Sequence, residues 1–311
     1  MACLFPQERY RAPGSKKWHN NPYRGHIASQ IQPCGHCIEC RFSTIVRPWT
    51  VRGLKELRYH DKASFVTLTY DKAHLPPNSS LDRRHVKAWA RELLLAYPDA
   101  RYLYCGEYGG KFGRPHYHAI VFGADFGYKP SSSRSYSEHG ISVAQPSNEL
   151  ASMWRRGFSS VGNVTADSIA YVASYCLKKI NGPAAASHYG DRLPEFLQQS
   201  KRAIGKRYAE DFKDELLRHA NIPHDGYTVP VPRYFRRNWS DAEKKVFQNT
   251  LDKTPLPRPL LRDSIARIET LARKFGDRLS PKYVIQLNYL RDLESRLGCE
   301  DSPSAIDEPV R

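Results

Sequence analysis

No stretch of the 311-residue chain approaches the ~18 consecutive apolar residues that a membrane-spanning helix requires. The opening Met1-Ala2-Cys3-Leu4-Phe5-Pro6 lacks the basic and apolar regions of an export leader, so the sequence predicts a soluble intracellular protein with no membrane partner. Acidic residues are in short supply: 32 Asp and Glu face 48 Lys and Arg, a net charge of +16. An excess of that size concentrates phosphates and points to a polyanionic partner. It is unevenly spread, because residues 251–311 hold 11 basic and 10 acidic side chains and leave nearly all of it to the first 250. No internal repeat is visible, which removes solenoids and propellers. Cysteine is sparse and odd in number, at seven, which argues for metal ligation or free thiols over a disulfide scaffold.

With 40% apolar residues the chain can bury a sizeable core, as one large domain or two small ones. Four segments are expected. Residues 1–62 form a basic arm with a cysteine knuckle, in which 41–58 reads as a helix interrupted near Pro48. Residues 63–182 form the regular core. Phe65-Val-Thr-Leu-Thr-Tyr70 alternates as a strand, with Val66, Leu68 and Tyr70 on one face and Phe65, Thr67 and Thr69 on the other. Asp82 caps a helix whose stripe runs through Val86, Trp89, Ala90, Leu93, Leu94 and Tyr97. Strand-like runs at 101–107 and 116–122, joined by a Gly-rich connection, read as a β-hairpin. Residues 125–148 read as a loop, and Asp167 as the cap of a helix through Tyr171, Tyr175 and Lys179. The Pro- and aromatic-rich extension, 183–250, includes an extended surface segment at 227–237. Residues 251–311 read as a helical hairpin, with Leu261, Ile265, Ile268 and Leu271 on one arm and Tyr283, Leu287, Leu290 and Leu297 on the other.

Three groups of residues could carry chemistry. His116 and His118 lie two apart in a strand and face the same way, so both imidazoles can meet one ion, with Glu107 on the neighbouring strand as an oxygen ligand. Two imidazoles and a carboxylate leave positions open on Mg²⁺ or Mn²⁺. Tyr171 and Tyr175 share a helical face with Lys178, a cation suited to a phenolate nucleophile or to phosphate, and Tyr175, nearer Lys178, reads as the first nucleophile. Chance alone would yield roughly half a His-x-His and about one Tyr-x3-Tyr from such a composition, so order and context carry the argument. Cys34, Cys37 and Cys40 form a knuckle able to hold a structural Zn²⁺, with Cys3 preferred over His36 as fourth ligand. Arg114, Lys179, Arg233, Arg236 and Arg237 are the expected DNA contacts.

In order, Phe65-Val-Thr-Leu-Thr-Tyr-Asp71, then Arg-Pro-His116-Tyr-His118, then Tyr171-Val-Ala-Ser-Tyr175-Cys-Leu-Lys178 resemble the three motifs of rolling-circle replication initiators, the HUH endonucleases. The paired tyrosines resemble the microvirus form, and Cys34-Gly-x-Cys37-x2-Cys40 with Cys-Gly-Glu107-Tyr-Gly resembles its gokushovirus branch. The resemblance covers residues 1–182 and implies an α+β fold with a central antiparallel sheet, ferredoxin-like or RRM-like, and helices on one face. It implies a divalent metal on the histidines and a tyrosine that attacks a DNA phosphate. A 3′-OH is left for a host polymerase, within the bacterial cytoplasm and alongside a host helicase. Ser174 stands where many relatives carry a basic residue, leaving Lys178 as the principal cation. Two rival readings are a non-enzymatic single-strand-binding protein on an RRM-like sheet and a transposase or relaxase using the same site.

Overall fold

The computed structural model describes residues 3–12, 17–19, 28–110, 112–129, 145–180, 182–224, 227–253, 260–275, 283, 285–288 and 290–291. By contacts the chain divides into two units, one of Met1–Arg41 with Pro255–Arg311, the other of Phe42–Thr254. The first begins with a three-stranded antiparallel sheet in which β1 (Gln7–Arg11) lies between β2 (Trp18–His19) and β3 (Ala28–Gln32), followed by the short helix α1 (Ile38–Arg41).

The second unit opens with a π-helical turn at Phe42–Val46 that runs without a break into α2 (Arg47–Leu57), and Pro48, which has no N–H to give to a regular α-turn, follows directly on it. Then come β4 (Ala63–Tyr70), α3 (Arg83–Ala96), β5 (Arg101–Tyr108) and β6 (Pro115–Phe122). They are followed by α4 (Asn148–Trp154), β7 (Gly157–Gly162), α5 (Ala166–Lys178), α6 (Ala184–Tyr189) and β8 (Phe196–Gln199). The last five strands named form one antiparallel sheet of order β7-β4-β6-β5-β8. The β5–β6 hairpin and the Asp82 cap of α3 are as the sequence predicts. Of the 125–148 loop, residues 130–144 lie outside the described residues; Gln145 bridges to Val161 and α4 begins at Asn148.

Helices cover both faces of the sheet, where the resemblance implied one. The strands are apolar on each side: Val66, Leu68, Tyr70, Tyr104, Tyr117 and Val121 pack under Trp89 and Leu93 of α3 and Trp154 of α4. Phe65, Leu103, Ile120 and Phe122 pack under Ile169, Val172 and Tyr175 of α5. Two apolar faces exclude water only if each has a cover.

Beyond the sheet, α7 (Lys206–Asp211), α8 (Lys213–His219), β9 (Asn221–His224), β10 (Tyr227–Pro230) and α9 (Asp241–Lys253) enclose a core of their own. This corrects the reading of 227–237 as a surface segment, because Val229, Val231, Phe235 and Trp239 are buried with Tyr208, Leu216 and Ile222. In the first unit, α10 (Leu260–Phe275) buries Ile265 and Ile268 against Leu4 and Leu290, with Ile31, Leu271, Tyr283 and Leu287 around them. The described residues from 283 to 291 are helical, as the hairpin requires, while Leu297 and the side chain of Leu261 lie outside the described residues.

Candidate active site

The β5–β6 register sets Glu107 opposite His116 and Cys105 opposite His118, while β4 sets Thr69 and Thr67 against the same two histidines from the other side. Strand alternation therefore puts Glu107, His116, His118 and Thr67 on the face covered by α5. Nε2 of His116 lies 2.6 Å, and Nε2 of His118 3.2 Å, from Oε1 of Glu107. Each of the three residues offers one ligand atom, and these lie within 4.8 Å of one another.

The outer nitrogens fix which atoms face inward. Nδ1 of His116 lies 3.0 Å from the Arg114 carbonyl, which can only accept, so Nδ1 carries the proton and a neutral ring turns the lone pair of Nε2 toward Glu107. A lone pair set 2.6 Å from a carboxylate oxygen is satisfied only with a cation or a proton between them. Nδ1 of His118 is 3.0 Å from the Thr67 hydroxyl, which can donate or accept and so holds the ring in place. The donor set therefore fits a divalent ion on two imidazole nitrogens and a carboxylate oxygen. Burial acts to raise the Glu107 pKa, but hydrogen bonds from His116 and His118, with Lys178, outweigh it and hold the carboxyl at about 2. Burial pushes the His118 pKa below the usual histidine value, which keeps its ring neutral and able to ligate.

Above this group sits α5. Thr165 caps it, receiving the Ser168 amide while the Ser168 hydroxyl receives the Thr165 amide. The sequence reading gave the cap to Asp167, which instead lies in the first turn, where its charge complements the helix dipole. The Tyr175 ring stacks on His118 at 5.4 Å and 12°, and Tyr171 meets the same imidazole edge-on at 5.3 Å. The two phenol rings are 4.8 Å apart. Tyr175 is buried and Tyr171 half-buried. Burial raises both pKa values; the hydrogen bond between the hydroxyls raises Tyr175 further and lowers Tyr171. Nζ of Lys178 is 3.0 Å from Glu107 Oε2 and 4.4 Å from the centre of the Tyr175 ring.

Among the expected DNA contacts, Lys179 is exposed at the end of α5. Arg114 bears on the site through its carbonyl. Arg233, Arg236 and Arg237, with Tyr234 and Lys244, line a separate concavity of about 630 Å³. Burial and the charge of Arg233 depress the Arg236 pKa, and its Nε is buried without a partner, a setting suited to an anion. The four cysteines converge in the first unit. Thr67 is the residue that the motif reading missed. Its place on the Phe65 face was legible, but its pairing with His118 depended on an inter-strand register.

At this site an antiparallel sheet presents two histidines and a glutamate to a helix bearing paired tyrosines. Residues 63–180, the segment holding all of these groups, match the family described as replication-associated protein ORF2. Over 269 residues the chain is 28% identical to replication-associated protein VP4 of Bdellovibrio phage phiMH2K, spanning 79% of this chain and 82% of that one. It is 31% identical over 217 residues to replication-associated protein ORF4 of Chlamydia phage 1, spanning 66% of this chain and 52% of the other. With replication-associated protein ORF2 of Spiroplasma virus 4 it shares 27% identity over 274 residues, 78% and 82% of the two chains. These matches fit the rolling-circle initiator of a microvirus-like phage and support a role in starting phage DNA replication. No solved structure matches. Among the described residues no helix is long and apolar enough to cross a membrane.

Proposed function

We propose that the chain is a metal-dependent, site-specific DNA nickase and strand transferase that starts rolling-circle replication through a 5′-phosphotyrosine intermediate. The observation that carries this reading is the contact of both tyrosine rings with His118, one of the two histidines converging on Glu107, which sets the candidate nucleophiles beside the candidate metal ligands. A divalent ion bound there would polarise the scissile phosphate as a Lewis acid. The chain's own groups do the rest. A tyrosine oxygen attacks phosphorus, the bond to the 3′ oxygen breaks, and that oxygen leaves as a 3′-OH that takes up the proton. One phosphodiester is exchanged for another, so the reverse attack by a 3′-OH rejoins the strand without ATP. Two tyrosines allow a second transfer while the first is occupied.

Exposure and the hydrogen bond between the hydroxyls favour Tyr171 as the first nucleophile over the Tyr175 of the sequence reading. A divalent ion on Glu107 would compete with Lys178 for the carboxylate charge and leave the ammonium able to meet phosphate. The stacking platform that an RRM-like binder needs is an open sheet face, and here both faces are covered, so the non-enzymatic reading loses its surface. The relatives' names, all replication-associated, favour an initiator over a transposase or relaxase.

The test is to incubate the full chain with labelled single-stranded oligonucleotides tiling a cognate circular genome, with Mn²⁺, and run a denaturing gel. A covalent adduct mapping to Tyr171 or Tyr175 is expected, formed more slowly by Tyr171→Phe and absent from the double variant. An adduct on neither residue, or undiminished cleavage in excess EDTA, would overturn the mechanism.

A further inference from the structure

The thiols of Cys3, Cys34, Cys37 and Cys40 take no part in the chemistry above. Sγ of Cys3 stands 3.8 Å from that of Cys37, and Sγ of Cys34 3.9 Å from that of Cys40; all four lie within 4.8 Å of one another. Four sulfurs each ~2.3 Å from a tetrahedral centre are about 3.8 Å apart, whereas a disulfide would bring a pair to about 2.05 Å. Four sulfurs that ligate a [2Fe–2S] or [4Fe–4S] cluster are shared among two or four irons and cannot all stand this close together. The observed spacing is that of one small ion.

The backbone is arranged for thiolates. Amides of Phe5 and Cys34 point at Cys3 Sγ (3.4 and 3.3 Å), those of His36 and Cys37 at Cys34 Sγ (3.4 and 3.3 Å), and that of Cys40 at Cys37 Sγ (3.4 Å). Gly35, at φ +79°, makes the turn that aims two of them. Cys3, Cys34 and Cys40 are buried, and bringing several thiolates into such a place requires a compensating cation. The side chain of His36 is exposed, so it contributes an amide and not a ligand.

We propose that Cys3, Cys34, Cys37 and Cys40 bind one structural Zn²⁺ and that this ion holds together the unit made from the two ends of the chain. Binding converts four thiols to thiolates and releases their protons to solvent, with no change of oxidation state. A closed set of four sulfurs leaves no position for substrate, unlike the Glu107 group. The ion links Cys3 to the knuckle across β1–β3. Phe5 and Cys37 continue from the thiol cluster into the core under α10, where Arg267 lies 3.5 Å from Glu39. Loss of the ion should therefore loosen α10 as well as the N-terminal strands.

The full chain, purified under reducing conditions and dialysed against EDTA, is analysed for metals and then titrated with a mercurial thiol reagent. About one zinc per chain should survive dialysis that strips an N₂O site and be released as the thiols react. Cys3→Ser and Cys34→Ser should lose it, His36→Ala should keep it, and hydrogen exchange at 260–275 should rise on release. A zinc-free wild type, iron in place of zinc, or no change in exchange at 260–275 on release would overturn the proposal. So would full zinc in Cys34→Ser or its loss from His36→Ala. If the cysteine variants do not fold, metal content and mercurial release from the wild type decide alone.

Discussion

Glu107 is where the charges of the site meet, since one carboxylate faces two imidazoles and an ammonium. Removing one nitrogen ligand, as in His116→Ala or His118→Ala, forfeits the several kcal/mol that a Lewis acid contributes, and should slow oligonucleotide cleavage by about a thousandfold or more. Binding of single-stranded DNA, read by fluorescence anisotropy, should change little. Thr67→Val leaves every ligand in place but removes the hydroxyl that orients His118. It should weaken Mn²⁺ affinity by about 10–100-fold, and an unchanged titration would show that the ring is held by packing alone. The pH dependence has a definite sign. His118 titrates below its unfolded value of about 6.5. Its contribution to stability is therefore complete above that value and lost as pH falls toward the folded one. In EDTA the Tm should fall between pH 7 and pH 5, and fall less in His118→Gln. Glu107, held at about 2, stays ionised in the folded chain across that window, and since its unfolded carboxyl only begins to protonate near pH 5 it adds little to the slope.

At the scale of elements, α5 is the part that must be set accurately, because its rotation aims both tyrosines. Thr165→Ala removes one half of the capping box and should cost about 1 kcal/mol of stability, with adduct formation falling as the first turn frays. Asp167→Asn should lower the Tm less. A carboxylate in the first turn is a sound cap signal, and the sequence offers Thr165 and Asp167 two residues apart; only the backbone angles separate them. The strands were easier to read. Alternation in 65–70 gave both faces of β4 correctly, and the Gly-rich connection gave the β5–β6 hairpin and with it the meeting of Glu107 and His116. Prolines at 230 and 232 hid the buried alternation of Val229 and Val231, which is why 227–237 read as a surface. The cover on the second face of the sheet was also visible, in the stripe of α3, although Leu94 on that stripe lies at an exposed rim.

For the molecule as a whole, the net charge of +16 should govern encounter with DNA. Log K for single-stranded DNA should fall linearly with log salt, and Arg233→Ala/Arg236→Ala/Arg237→Ala should shallow that slope by about 2 if the concavity meets phosphates. An unchanged slope would show that DNA runs elsewhere. Sequence reading had no means to foresee that residues 1–41 and 255–311 form one unit, since contacts between segments so far apart leave no local pattern. That joining has a consequence in time. Synthesis at about 5–20 residues per second puts ~10–40 s between the emergence of the first segment and that of the last. Throughout that interval Leu4 and Ile31 have no α10 to cover them. The four thiols, all within the first forty residues, can close on an ion at once. With an ion bound there, the order of synthesis would give the cysteine cluster the task of a clasp, keeping a nascent arm in shape while the sheet-bearing unit folds and until the far end of the chain arrives.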